Sequence, residues 1–151
     1  MARYVLNTGT VALAAATTKS LILLNPNITV RVTEVGISFD SATSNPSCKV
    51  DLYRTTTNGS PAGTTGAPVE VDDPFGNTDT NSSLVNLTTE PTAIEILRSW
   101  YVTPTGGVLV VPFSFGFEPQ ASGFQSFRVG LRVTTPASTT PNCVAYLEYQ
   151  T

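Results

Sequence analysis

Two cysteines, Cys48 and Cys143, are the strongest potential nucleophiles in the chain, and serines are plentiful. Either type needs a base beside it to attack a substrate. Histidine, the commonest base, is absent. A Ser-His-Asp or Cys-His arrangement therefore cannot be assembled, and no Gly-x-Ser-x-Gly turn occurs. The cysteines read as small apolar residues on strand faces. Carboxylates come next. Asp72-Asp73, followed by Asn77, Asp79 and Asn81, set oxygen donors at alternate positions. A calcium loop also needs a glycine at its sixth position and a glutamate at its twelfth, and both are missing. A solvated turn is expected there, with no metal and no cofactor. Glu90 and Glu118 each precede a proline. Glycoside hydrolysis needs two carboxyls facing each other across a cleft, and nothing in the spacing of these two supplies that. The expectation is a protein that is not an enzyme.

Aromatic residues offer binding chemistry. Trp100-Tyr101 and the stripe Phe113, Phe115 and Phe117 have the makings of a sugar-stacking platform. A period-two stripe beside Val108–Val111 more readily reads as core. Arg98 lies close enough in sequence to Trp100 for its guanidinium to cover a ring. Four Asn-x-Ser/Thr matches, beginning at Asn27, Asn58, Asn81 and Asn86, are what chance gives in so hydroxyl-rich a chain.

The scaffold that must position these residues is visible in the composition. Of 151 residues, 24 are Thr and 13 are Ser, while only 13% are charged and the net charge is −3. That balance lacks the basic field nucleic-acid binding requires. There is no run of 18 apolar residues to span a membrane as a helix. The stretch 1–7 lacks the apolar core of a secretory signal, so folding in a cytoplasm is expected.

Threonine and valine favour a pleated surface. Val129, Leu131 and Val133 alternate with Arg128, Gly130 and Arg132. Cys143, Ala145, Leu147 and Tyr149 do the same near the C-terminus, as do Cys48, Val50 and Leu52. Leu21–Leu24 and Val108–Val111 are apolar at every position and predict central strands packed on both faces. The apolar phase slips by one between Val32 and Val35, which predicts a β-bulge at Glu34. Turn signals at Asn25-Pro26-Asn27, Asn58-Gly59 and Pro104–Gly107 separate the runs. The reading is an all-β, antiparallel β-sandwich, jelly-roll-like, with roughly eight to nine strands.

Two polar, turn-rich stretches, 55–68 and 72–83, are long for loops of a compact domain and suggest function at their tips. Asn58, Phe75 and Asn77 are the candidate contacts there. The chain divides into an N-terminal arm at 1–9, with Tyr4 and Leu6 as its candidate contacts, and a single β-sandwich domain at 10–151.

Four segments together carry a resemblance: Thr10–Leu21, Arg31–Asp40, Thr89–Trp100, and Arg128–Pro136 running into Cys143–Glu148. In these the chain resembles small virion proteins of tailed bacteriophages, encoded among head and structural genes. The resemblance implies a capsid decoration (cement) protein: a homotrimer bound over the major capsid protein on the virion surface, assembled in the host cytoplasm. A phage tail or receptor-binding β-module that recognises host surface glycans is the alternative. In a particle that leaves the cell, Cys48 and Cys143 would meet oxidising conditions, and a bridge between them stays open at this stage.

Overall fold

A computed structural model describes residues 2–40, 46–57, 64–66, 68–71 and 83–151. Among these there is no helix, and the alternating stretches are strands. In chain order they are β1 (Arg3–Asn7), β2 (Val11–Ala12), β3 (Thr18–Leu24), β4 (Thr29–Asp40) and β5 (Cys48–Thr55). The short β6 (Thr64–Thr65), β7 (Val69–Glu70) and β8 (Leu84–Val85) follow. The remainder are β9 (Ile94–Val102), β10 (Val108–Pro112), β11 (Gln120–Ser122), β12 (Arg128–Thr134) and β13 (Asn142–Gln150).

Eight of these strands are five residues or longer, and they form two antiparallel sheets packed face to face. One sheet runs β10-β4-β13-β1-β7, with β11 also on β4 and β2 also on β13; the other runs β6-β8-β3-β12-β5-β9. The long strands nest: β1 pairs with β13, β3 with β12, β4 with β10 and β5 with β9. That wrapping of first on last is the jelly roll the sequence predicted.

Side-chain parity explains the core. On β4, Val30 and Val32 point inward, and Val35, Ile37 and Phe39 resume the inward phase after one extra residue. The register shows the slip: Tyr149 faces Val32, and Glu148 faces Glu34. The bulge thus falls at Thr33–Glu34, where the sequence put it. A second bulge, at Leu21 of β3 opposite Leu131/Arg132, sends both Leu21 and Ile22 into the main core. Leu23 points the other way, into a small cluster with Tyr53 and Leu87 on the outer face of its sheet. Leu21–Leu24 is therefore packed on both faces, as expected.

Val108–Val111 is not. β10 ends its sheet, bonded only to β4, and Val108 and Val110 are 68% and 51% exposed. Its apolar residues suit two-sided burial, but among the described residues none covers their outer face. The Phe stripe is corrected in the same way: Phe113 is buried, whereas Phe115 and Phe117 are exposed.

The expected arm at 1–9 is also corrected. β1 is an interior strand between β13 and β7. Tyr4 and Leu6 face the core, and the Tyr4 ring stacks on Tyr149 at 5.5 Å. These two side chains hold their own sandwich together and are not presented to a neighbour. Asn58, Phe75 and Asn77 lie outside the described residues.

Candidate docking surface

The groups that first suggested chemistry are committed elsewhere. Cys48 and Cys143 are free thiols, both fully buried on facing sheets. Burial raises both thiols, Cys143 to about 12, with the neighbouring Cys48 adding to the rise and Lys19 opposing it. Thiols so protonated are poor nucleophiles. Glu118 accepts a hydrogen bond from the Gly116 backbone N–H at 2.7 Å, on the seven-stranded sheet. Glu90 sits on the other sheet, where its carboxylate accepts from the Ser20 backbone N–H at 2.5 Å and from Ser20 Oγ at 2.6 Å. No cleft brings the two glutamates face to face. The acidic stretch 72–81 lies outside the described residues. Among the described residues no three potential metal ligands cluster.

Glu90 belongs to a chain of polar contacts that the sequence did not reveal. Segment 86–93 links β8, on one side of the six-stranded sheet, to β9 at its far edge, and Leu87 packs on Leu23 and Tyr53 on the outer face of the sheet. Asn86 and Leu87 donate backbone N–H groups to the Leu21 and Ser20 carbonyls, and Lys19 Nζ reaches the Leu87 carbonyl at 3.2 Å. Beneath this roof Ser20 Oγ lies 2.7 Å from the Tyr53 hydroxyl. Arg132 covers the Tyr53 ring at 5.7 Å and donates from Nε to Asp51 at 3.1 Å. Ser99 Oγ donates to the other Asp51 oxygen at 2.5 Å, and Lys49 approaches it at 3.4 Å. Asp51 is buried, so these partners supply the compensation a buried carboxylate requires. Burial holds the Tyr53 phenol well above its ordinary range; the Glu90 charge adds to this, while the Ser20 hydrogen bond and Arg132 oppose it. Each of these polar groups has a partner, and together they tie β3, β5, β9 and β12 to one another.

The two flanks of the sandwich differ. On one, the sheets end in β6 and β7, two residues each, and Gly66 beside β6 packs against Leu6 of β1. On the other they end in β9 and β10, nine and five residues long. Arg98 of β9 stacks on Phe113, just after β10, at 5.1 Å, which ties the two open edges together. The ring Arg98 covers is thus that of Phe113. Ten large apolar side chains are exposed among the described residues. Six of them, Ile96, Tyr101, Val108, Val110, Phe115 and Phe117, come from β9, β10 and the loop that follows. Short edge strands discourage pairing with another chain, while long open ones invite it. Among the described residues, what blunts the long flank is a bulge at Leu97, the charges of Glu95 and Arg98, and Pro112 at the end of β10. Sequence reasoning missed this flank because it placed Val108–Val111 and the Phe stripe inside.

No model of a known protein family matches this sequence, and no curated protein matches it.

Proposed function

We propose that this chain is a bacteriophage capsid decoration protein, which docks beside copies of itself on the outer surface of the major capsid shell and stabilises it. The observation that carries the reading is the asymmetry of the flanks. Among the described residues, β9 and β10 end their sheets as long strands, and six of the ten exposed large apolar side chains belong to these two strands and the loop that follows. A rigid jelly roll with one adhesive flank suits a building block. Edge strands can accept a neighbour through backbone hydrogen bonds, and exposed valines and phenylalanines gain by burial in the same contact. A homotrimer closes such a contact head to tail: the flank of each subunit meets a different surface of the next, and three contacts complete the ring. The low charge limits repulsion between crowded copies. The resemblance to small tailed-phage virion proteins points the same way.

Sedimentation of the purified chain, alone and with expanded capsids, tests the proposal. The expected outcome is a discrete oligomer and stoichiometric co-sedimentation with the shell. Val110→Lys, at an exposed position on β10, is expected to weaken both while leaving the thermal unfolding midpoint within a few degrees of wild type. A monomer that never travels with capsids overturns the reading.

A further inference from the structure

The seven-stranded sheet ends in β10 on one side and in β7 on the other, and these two edges match. Residues opposite each other in a sheet share a face, so the registers carry side-chain parity from edge to edge. Val110 faces Gly36, and Gly36 faces Tyr146. Two residues on from Tyr146, Glu148 faces Val5, which faces Val69. Val69 and Val71 therefore project from the same outer face as Val108 and Val110. They are 62% and 43% exposed. With the six of the long flank they make eight of the ten exposed large apolar side chains among the described residues.

The backbones match as well. In an antiparallel pair, alternate residues turn both N–H and C=O toward the partner strand. Phe113 N–H donates to the Thr33 carbonyl at 2.8 Å, and the Gly107 carbonyl accepts from Phe39 N–H at 3.0 Å. The odd-numbered residues of β10 thus face β4, and Val108 and Val110 turn their backbone groups to the open edge. Val71 N–H donates to the Arg3 carbonyl at 2.8 Å, so Glu70, the next residue back, turns its N–H and C=O away from β1. Every neighbouring pair from β10 to β7 is antiparallel, and four such steps leave the two edge strands pointing the same way. Rotation about an axis along the strands preserves that direction. A head-to-tail ring therefore brings β10 of one copy beside β7 of the next as a parallel pair.

We infer that β10 of one copy receives β7 of the next, with Glu70 bridging Val108 and Val110. Glu70 N–H donates to the Val108 carbonyl, and Val110 N–H donates to the Glu70 carbonyl. Val69 then lies beside Val108 and Val71 beside Val110, all on one face, where β-branched neighbours pack well. β7 is too short to template an unrelated strand, but this contact asks only one of its residues to make backbone bonds. The inference rests on the proposed docking of copies and names the surface that each flank meets.

Disulfide cross-linking of the full chain tests it, with oxidised glutathione as oxidant. Val69→Cys and Val108→Cys each place a thiol at an exposed position, while the native thiols are buried. Co-expressed, the two variants are expected to give covalent dimers on a non-reducing gel, and neither is expected to do so alone. A chain carrying both substitutions is expected to give covalent trimers. Val71→Lys is expected to raise the subunit dissociation constant about tenfold, because it sets an unpaired charge in the contact. Ile28→Lys, exposed but on neither edge, is expected to leave it unchanged. Cross-linking of Val108→Cys with itself, which marks β10 against β10 about a two-fold axis, overturns the inference. So does wild-type assembly by Val71→Lys, or no cross-link between the co-expressed variants. Capsid co-sedimentation is scored separately. Cross-linking in a chain that never binds capsids retires the decoration reading alone, and capsid binding without the cross-link retires this inference alone.

Discussion

The two sheets carry the same local device on their outer faces, and the molecule uses it differently. On the six-stranded sheet Tyr53 faces Gly130 across β5 and β12; on the seven-stranded sheet Tyr146 faces Gly36 across β13 and β4. In both, the ring lies over the glycine, in the space a side chain would fill. The Tyr53 ring is fully buried beneath segment 86–93, where Leu87 packs on it, with its hydroxyl bonded to Ser20. The Tyr146 ring is only partly covered, and its hydroxyl donates to Glu34 at the margin of solvent. An identical cross-strand pair is thus a core element on one face and a surface element on the other. What separates them is whether another segment crosses above.

Removing the roof's anchor is expected to have the largest effect. Leu87 is buried against Leu23 and Tyr53, and Leu87→Ala should cost about 2–5 kcal/mol in urea unfolding. It should also make the Tyr53 ring behave more like that of Tyr146, visible as faster exchange of the Asn86 and Leu87 amides.

The glycines come next. A Cβ at Gly130 would overlap Tyr53 Cζ, and one at Gly36 would overlap Tyr146 Cε1. The clashes are alike, but the roofed ring has nowhere to go and the open one can swing outward. Gly130→Ala is expected to destabilise by about 1–3 kcal/mol, and Gly36→Ala by less than about 1 kcal/mol. Equal losses would show that the roof does not restrain the ring.

The smallest effect is alkaline. Burial raises the Tyr146 phenol from 10.0 to about 12, helped by its hydrogen bond to Glu34 and by the charges of Glu34 and Glu148. Between these values the folded state keeps a proton that the unfolded state has lost. Stability is therefore unaffected by this group below pH 10 and falls as pH rises toward 12. Tyr146→Phe should remove part of that decline, as read from unfolding midpoints across the window. Tyr53 is raised further and should extend the decline to higher pH in the wild type.

Much of this architecture was legible in the residues. Alternation named the strands, the slip between Val32 and Val35 located the bulge, and four consecutive apolar residues at Leu21–Leu24 announced a strand packed on both sides. The same logic failed at Val108–Val111 because four apolar residues state that burial would be favourable and do not say what arrives to provide it. Tyr4 and Leu6 were misplaced for the converse reason. A short alternating segment near the N-terminus looks alike whether it pairs with β13 of its own chain or with a neighbour. The match between the β7 and β10 edges was invisible because their places at the two ends of one sheet are set by pairings between segments far apart in sequence.

Local chemistry in the chain settled the period of its structure. β-branched residues at alternate positions, broken by Asn, Pro and Gly, admit strands and exclude long helices, since steric preference acts between near neighbours. Which strand became an edge, which tyrosine gained a roof and which arginine met a ring were decided only on folding. Those outcomes depend on contacts between segments tens of residues apart, where the free energy of burial belongs to the pair and to neither segment alone.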